Sequence, residues 1–161
     1  MRYIPLISAL ALIATPAQTQ DLQALKGCYI ETSVAGTFLA TGPREATGGI
    51  GGGCDVALGK ATLGAGIRAD WLDLTSGSLF GKLGIAINPH ASVYALAVWS
   101  VPDWRLTRAG QLQLGAGAEL SLTSLVPNTS AFVEATSAVS KFGALATRDD
   151  VIVRLGLRYR F

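Results

Sequence analysis

Charge is scarce in this chain: only 15% of its 161 residues are Asp, Glu, Lys or Arg, and it has one histidine and two cysteines. An ordinary soluble domain is about 25% charged. Thirteen basic and eleven acidic residues leave a formal charge of +2, with no basic run. Nucleic-acid binding therefore lacks the electrostatic footprint it requires. A single histidine and two cysteines leave little material for a metal site, and no cofactor motif is evident. Low hydrophobicity, the mark of disorder, is also missing. Half the chain is hydrophobic and 19 residues are glycine. The length suits one domain with a core and little else.

Long apolar runs are confined to the first residues. Met1-Arg2-Tyr3 gives a positive start, and Ile4 to Ala14 is apolar except for Pro5 and Ser8. Thr15-Pro16-Ala17 then places small residues where a signal peptidase reads. The run is shorter than the roughly 20 residues of a membrane-spanning helix. The expected organisation is a signal peptide over 1–17, a short lead over 18–25 and one domain over 26–161.

Helical pattern is nearly missing too, and the repeated signal after residue 26 is alternation. Val151, Val153, Leu155, Leu157, Tyr159 and Phe161 fall on one side of an extended strand, with Arg154, Arg158 and Arg160 on the other. A helix would scatter those arginines around its circumference; a strand files them. The same alternation runs through Gln111–Ser121, Leu63–Trp71 and Leu79–Asn88, and more weakly through Gly27–Val34, Ile50–Gly59, Val93–Val101 and Ala131–Ser140. Val93–Val101 is apolar on both faces, so its inward side is open. Eight strands result, with about 18 residues for each strand and its connection, and transmembrane strands need about 9 to 11.

A soluble β-sandwich shares this pattern. Its outward residues, however, are usually long and varied, whereas the polar file here interleaves glycine and alanine with single charges. Small residues between charges suit the tight interior of a small closed barrel. The expected fold is all-β: an eight-stranded antiparallel up-and-down transmembrane barrel. Its apolar file faces lipid, with Trp71, Trp99, Tyr159 and Phe161 near strand ends. Closure satisfies backbone groups that an open edge would strand in a bilayer. The interior collects Glu31, Asp55, Asp70, Glu119 and Glu134 against Arg68, Lys82, Arg154, Arg158 and Arg160. Buried charges persist when paired, so the expectation is a plug, with Arg154 or Arg158 meeting Glu31 or Glu134.

The terminal Leu155-Gly156-Leu157-Arg158-Tyr159-Arg160-Phe161 resembles the C-terminal signature of bacterial outer-membrane β-barrels, which the barrel-assembly machinery is understood to read. Gly64-Ala65-Gly66-Ile67-Arg68 and Leu114-Gly115-Ala116-Gly117-Ala118-Glu119-Leu120 are similar to strands of the opacity-type and OmpA/OmpX-like small barrels. The resemblance implies the bacterial cell outer membrane, with its lipids and lipopolysaccharide as surroundings. It also implies that Tyr159 and Phe161 act as an assembly signal and that both termini are periplasmic. Turns near Gly59–Ala61, Asn88–Ser92 and Thr123–Thr129 would then be periplasmic. Loops near Ala35–Gly49, Thr75–Ser78, Pro102–Arg108 and Lys141–Asp150 would face outside. They are shorter than those of adhesins.

Export makes Cys28 and Cys54 a candidate disulfide. A hairpin centred on residue 41, in the Thr41-Gly42 break, puts the two opposite each other and on one face. Unpaired cysteines on the apolar face are the alternative. Gly48-Gly49-Ile50-Gly51-Gly52-Gly53 has no Lys-Ser/Thr or helix start after it, so it is not a phosphate loop. His90 sits in a turn-like Asn88-Pro89-His90, Asn128-Thr129-Ser130 is an accidental glycosylation pattern, and Trp104 is an interface anchor like Trp99. The expected role is non-enzymatic: an envelope-structural or surface-exposed barrel with a charge-plugged interior and an unspecified external ligand. The alternatives are a lipid-modifying enzyme, which would need a histidine at the outer rim, and a narrow channel.

Overall fold

The computed structural model describes residues 25–39, 42–70, 77–101, 110–139 and 151–161. The expected signal peptide, Trp71, Trp104 and the loops over 102–108 and 141–150 lie outside them. Eight strands follow in order: β1 (Gly27–Leu39), β2 (Gly42–Leu58), β3 (Ala61–Asp70), β4 (Gly77–Asn88), β5 (Ala91–Val101), β6 (Gln111–Ser121), β7 (Thr129–Ala138) and β8 (Val151–Arg160). Each pairs antiparallel with its neighbours, and β8 returns to β1, so the sheet is a closed barrel. No helix among the described residues is long and apolar enough to cross a membrane.

One end of the barrel, here the terminal end, carries the start of β1, the end of β8 and three turns. Gly59 supplies the left-handed backbone (φ 67°) of the two-residue turn between β2 and β3. In the turn after β4, the His90 amide donates to Asn88 Oδ1 at 2.8 Å, an Asx turn that reverses the chain within Pro89-His90. The third turn spans residues 122–128.

The first hairpin corrects the sequence reading. Residues 35–49, expected as an external loop, belong to β1 and β2 apart from residues 40–41, which lie outside the described residues. Gly77 and Ser78, also expected in a loop, open β4. Local composition argued for loops, but two-sided pairing decides. Ala35, Gly36 and Thr37 are bonded to β2 on one side and to Arg154, Val153 and Ile152 of β8 on the other. A backbone held on both edges has its polar groups satisfied whatever its side chains prefer.

Alternation sorts the side chains. Tyr29, Glu31, Ser33 and Ala35 of β1 point inward, while Ile30 and Val34 point outward and are exposed. Strand β5, ambiguous by sequence, turns Ser92, Tyr94, Leu96 and Val98 inward and Val93 and Trp99 outward. Glycines leave space beside the largest inward groups. A Cβ on Gly66 would come within 2.5 Å of the Phe80 ring, and one on Gly117 within 2.6 Å of the Tyr94 ring. A narrow barrel is filled this way, by large side chains seated against bare backbone.

Candidate functional site: the charged interior

Strand pairing brings eight charges to the middle and terminal half of the lumen, where they form two rings. In the first, Arg68 holds Glu31 through Nε and Glu134 through Nη1 at 2.7 Å. Arg158 closes that ring, with Nε to Glu31 at 2.9 Å and Nη2 to Glu134 at 2.8 Å. In the second, Asp55 Oδ2 lies 2.9 Å from both Lys82 Nζ and Arg160 Nη2. Glu119 completes it through Lys82 (3.4 Å) and Arg160. Arg158 Nη1 joins the rings at Glu119 Oε2, 2.5 Å away.

Four carboxylates and four cations thus neutralise each other, and every one of the eight is buried. Arg158, the shared member, is 0% exposed, and Glu134 is 1% exposed. Breaking one partner out of such a pair is costly because the other charge stays behind, buried and uncompensated. The rings are not confined to adjacent strands. Glu31 and Arg158 are register partners on β1 and β8, but Arg68 on β3 reaches Glu134 on β7, and Arg158 on β8 reaches Glu119 on β6. These contacts cross the lumen and fill it.

Of the two arginines expected at Glu31 or Glu134, Arg158 meets both and Arg154 neither. Glu134 faces Arg154 in the β7–β8 register, yet Arg154 turns toward the far end. There Nη1 donates to Ser33 Oγ at 2.9 Å and Nη2 lies 3.5 Å from Asp70. Arg154 and Asp70 are only partly buried, a rim pair separate from the two rings. Arg158 takes the place at Glu134 because it stands at the level of the other carboxylates.

Aromatic and hydroxyl groups that sequence reasoning did not single out complete the plug. Phe132 lies 3.9 Å from the Arg158 guanidinium and Phe80 4.1 Å from that of Arg68, ring faces against cations. The Tyr94 hydroxyl donates to Glu134 Oε1 at 2.8 Å and accepts from Arg158 Nη1 at 3.3 Å. Ser130, fully buried, donates to Glu119 Oε1 at 2.6 Å. Above the rings, Gln113 bridges Thr136 at 3.0 Å and Ser100 at 3.1 Å. The arrangement holds fixed, paired charge across the passage.

The outer wall is the reverse of the lumen. Among the described side chains of the strands, none that faces outward is Asp, Glu, Lys or Arg. Leu63, Ile67, Leu83, Ile85, Leu155 and Leu157 are among the exposed residues that replace them. Trp99 sits outward near the far end of β5, and Tyr159 and Phe161 outward at the terminal end. Cys28 and Cys54 are register partners on this outer face and are joined as a disulfide, their Cα atoms 3.9 Å apart. His90 lies exposed in its turn at the terminal end.

No family model and no curated protein matches the chain. Two solved structures resemble it, both at 18% identity. One is described as de novo design of transmembrane beta-barrels; 83% of this chain and 96% of that one are covered, with a TM-score of 0.49. The other is the solution NMR structure of de novo designed TMB2.3, with 84% and 96% covered and a TM-score of 0.44.

Proposed function

We propose that this chain is a non-enzymatic barrel of the bacterial outer membrane, envelope-structural or surface-exposed, whose interior is sealed by paired charges. The observation that carries the reading is the inversion of polarity. Ionised groups occupy the lumen, and the described outward wall has none. In water such a wall would leave more than twenty large apolar side chains exposed, far beyond the few hundred Å² of apolar patch usual for a soluble monomer. In a bilayer the same wall meets hydrocarbon, and a tilted strand of ten to twelve residues covers an apolar band about 25 Å tall.

Closure of β8 on β1 supports the same reading, since it leaves no strand edge to be desolvated. The sealed lumen favours a structural element over a channel. Tyr159 and Phe161, outward at the end of β8, would be the groups offered to the barrel-assembly machinery, and outer-membrane lipids with lipopolysaccharide would surround the wall.

Two measurements on the membrane fraction test this. A folded barrel is expected to sediment with outer membranes and to change its gel migration on boiling. Purified into planar bilayers, it is expected to show no steady conductance. Recovery from the soluble fraction would overturn the membrane reading, and a persistent open current would overturn the seal.

A further inference from the structure

The three turns of the terminal end are unequal. Those after β2 and β4 take two residues each, Gly59-Lys60 and Pro89-His90, while the turn after β6 takes seven, Leu122 to Asn128, with no charge among them. This longer turn is held in one shape. The Leu122 amide donates to the Thr129 carbonyl, and the Leu125 and Val126 amides both donate to the Leu122 carbonyl, each at 2.8 Å. Asn128 adopts a left-handed backbone (φ 58°) that returns the chain to β7, and its carbonyl accepts from the Arg160 amide at 2.8 Å. Yet Leu125 is 79% exposed and Val126 51%. An ordered turn that presents a leucine and a valine outward has them facing something other than the protein.

The side on which Val126 lies identifies it. Leu122 and Val126 line one apolar groove of about 980 Å³ together with Ile30, Ile50, Leu157 and Tyr159, all outward residues of the wall. The turn therefore overhangs the outside of the barrel, continuous with its apolar band. Tyr159, in the same groove, is an amphipathic ring of the kind that settles where hydrocarbon meets headgroups.

We propose that residues 122–128 are a membrane-contact element: Leu125 and Val126 enter the acyl-chain boundary of the leaflet at the terminal end, and lipid chains fill the groove beneath them. The inference rests on the bilayer reading above and goes beyond it, because strands alone would leave the turn in water. Thr123, Ser124 and Asn128 supply polar groups for the headgroup level, and the absence of charge removes the main penalty for insertion.

The experiment uses the disulfide-bonded chain, in which both native cysteines are joined, so that an introduced thiol is the one site for an environment-sensitive fluorophore. Leu125→Cys is compared with Leu83→Cys on the wall and Lys60→Cys in the β2–β3 turn. Each is folded into phosphatidylethanolamine–phosphatidylglycerol vesicles with iodide on both sides, or with acyl-brominated lipid. Labels at 125 and 83 are expected to be quenched severalfold more by brominated chains than the label at 60, and to be shielded from iodide. A label at 125 that behaves like the one at 60, while 83 is quenched by lipid, overturns the proposal and leaves the bilayer reading intact. If 125 is shielded from both quenchers and crosslinks to a second chain, a protein contact replaces the lipid one and the proposal fails. Should 83 also escape lipid quenching, the bilayer reading itself falls, and the proposal with it.

Discussion

Glu134 stands opposite Arg154 in the register of β7 and β8, yet its carboxylate is held by Arg158, Nη2 to Oε1 at 2.8 Å. Arg158 therefore serves three carboxylates from three strands, β1, β6 and β7, and ties β1 to the paired strands β6 and β7, with which β1 shares no backbone pairing. Arg158→Met would leave the buried Glu31, Glu119 and Glu134 short of a common cation. The expected loss is about 3–5 kcal/mol, read as an earlier denaturant midpoint for the folded barrel in vesicles. A loss below about 1 kcal/mol would mean that the rings do not bind the walls together.

Glycines on the two faces should respond oppositely. On the inward side, a methyl at Gly64 would meet Asp55 Oδ1 and the Lys82 stem, pressing on the Asp55–Lys82 pair. At outward Gly81 the nearest atom is 3.9 Å away. Gly64→Ala is expected to destabilise by about 1–3 kcal/mol through overpacking, and Gly81→Ala to be near neutral. Equal effects in an unfolding titration would contradict the assignment of faces.

The outer wall gives a charge test. Leu83 is 62% exposed in the middle of β4, so Leu83→Arg costs nothing in lost packing if water surrounds it. In a bilayer the same change should cost about 2–4 kcal/mol, whereas Lys60→Gln in the turn should leave stability unchanged. Refolding yields of the variants in vesicles measure the difference.

The Cys28–Cys54 bridge lies next to Gly51-Gly52-Gly53, where β2 lacks the side chains that normally specify register. Replacing both cysteines with serine is expected to lower stability by about 3 kcal/mol through the freed unfolded chain. It should also slow folding more than a variant of similar stability with the bridge intact. Stopped-flow refolding into vesicles, compared with Gly64→Ala, would show this. Equal rates at equal stability would mean that the bridge does not guide the pairing of β1 with β2.

Much of this architecture can be read from period-two patterning. Strand β8 declares itself because its apolar and arginine files alternate without a break, and the midpoint of the first hairpin places Cys28 opposite Cys54. What could not be read is what depends on neighbours. Residues 35–37 carry no strand signal of their own and are extended because β2 and β8 hold them on both edges. Tyr94 is hidden in the sequence because β5 is apolar on both faces, and only its register with inward Gly84 of β4 and Gly117 of β6 turns it inward. The partner of Arg154 was missed because a long side chain chooses its carboxylate by height in the lumen, which adjacency of strands does not convey.

Polarised infrared spectroscopy of the refolded chain in oriented bilayers asks most directly whether the apolar wall meets hydrocarbon. The account predicts membrane-bound β-sheet with strands tilted about 35–45° from the bilayer normal. Unoriented sheet signal from protein that washes off the bilayer would contradict it.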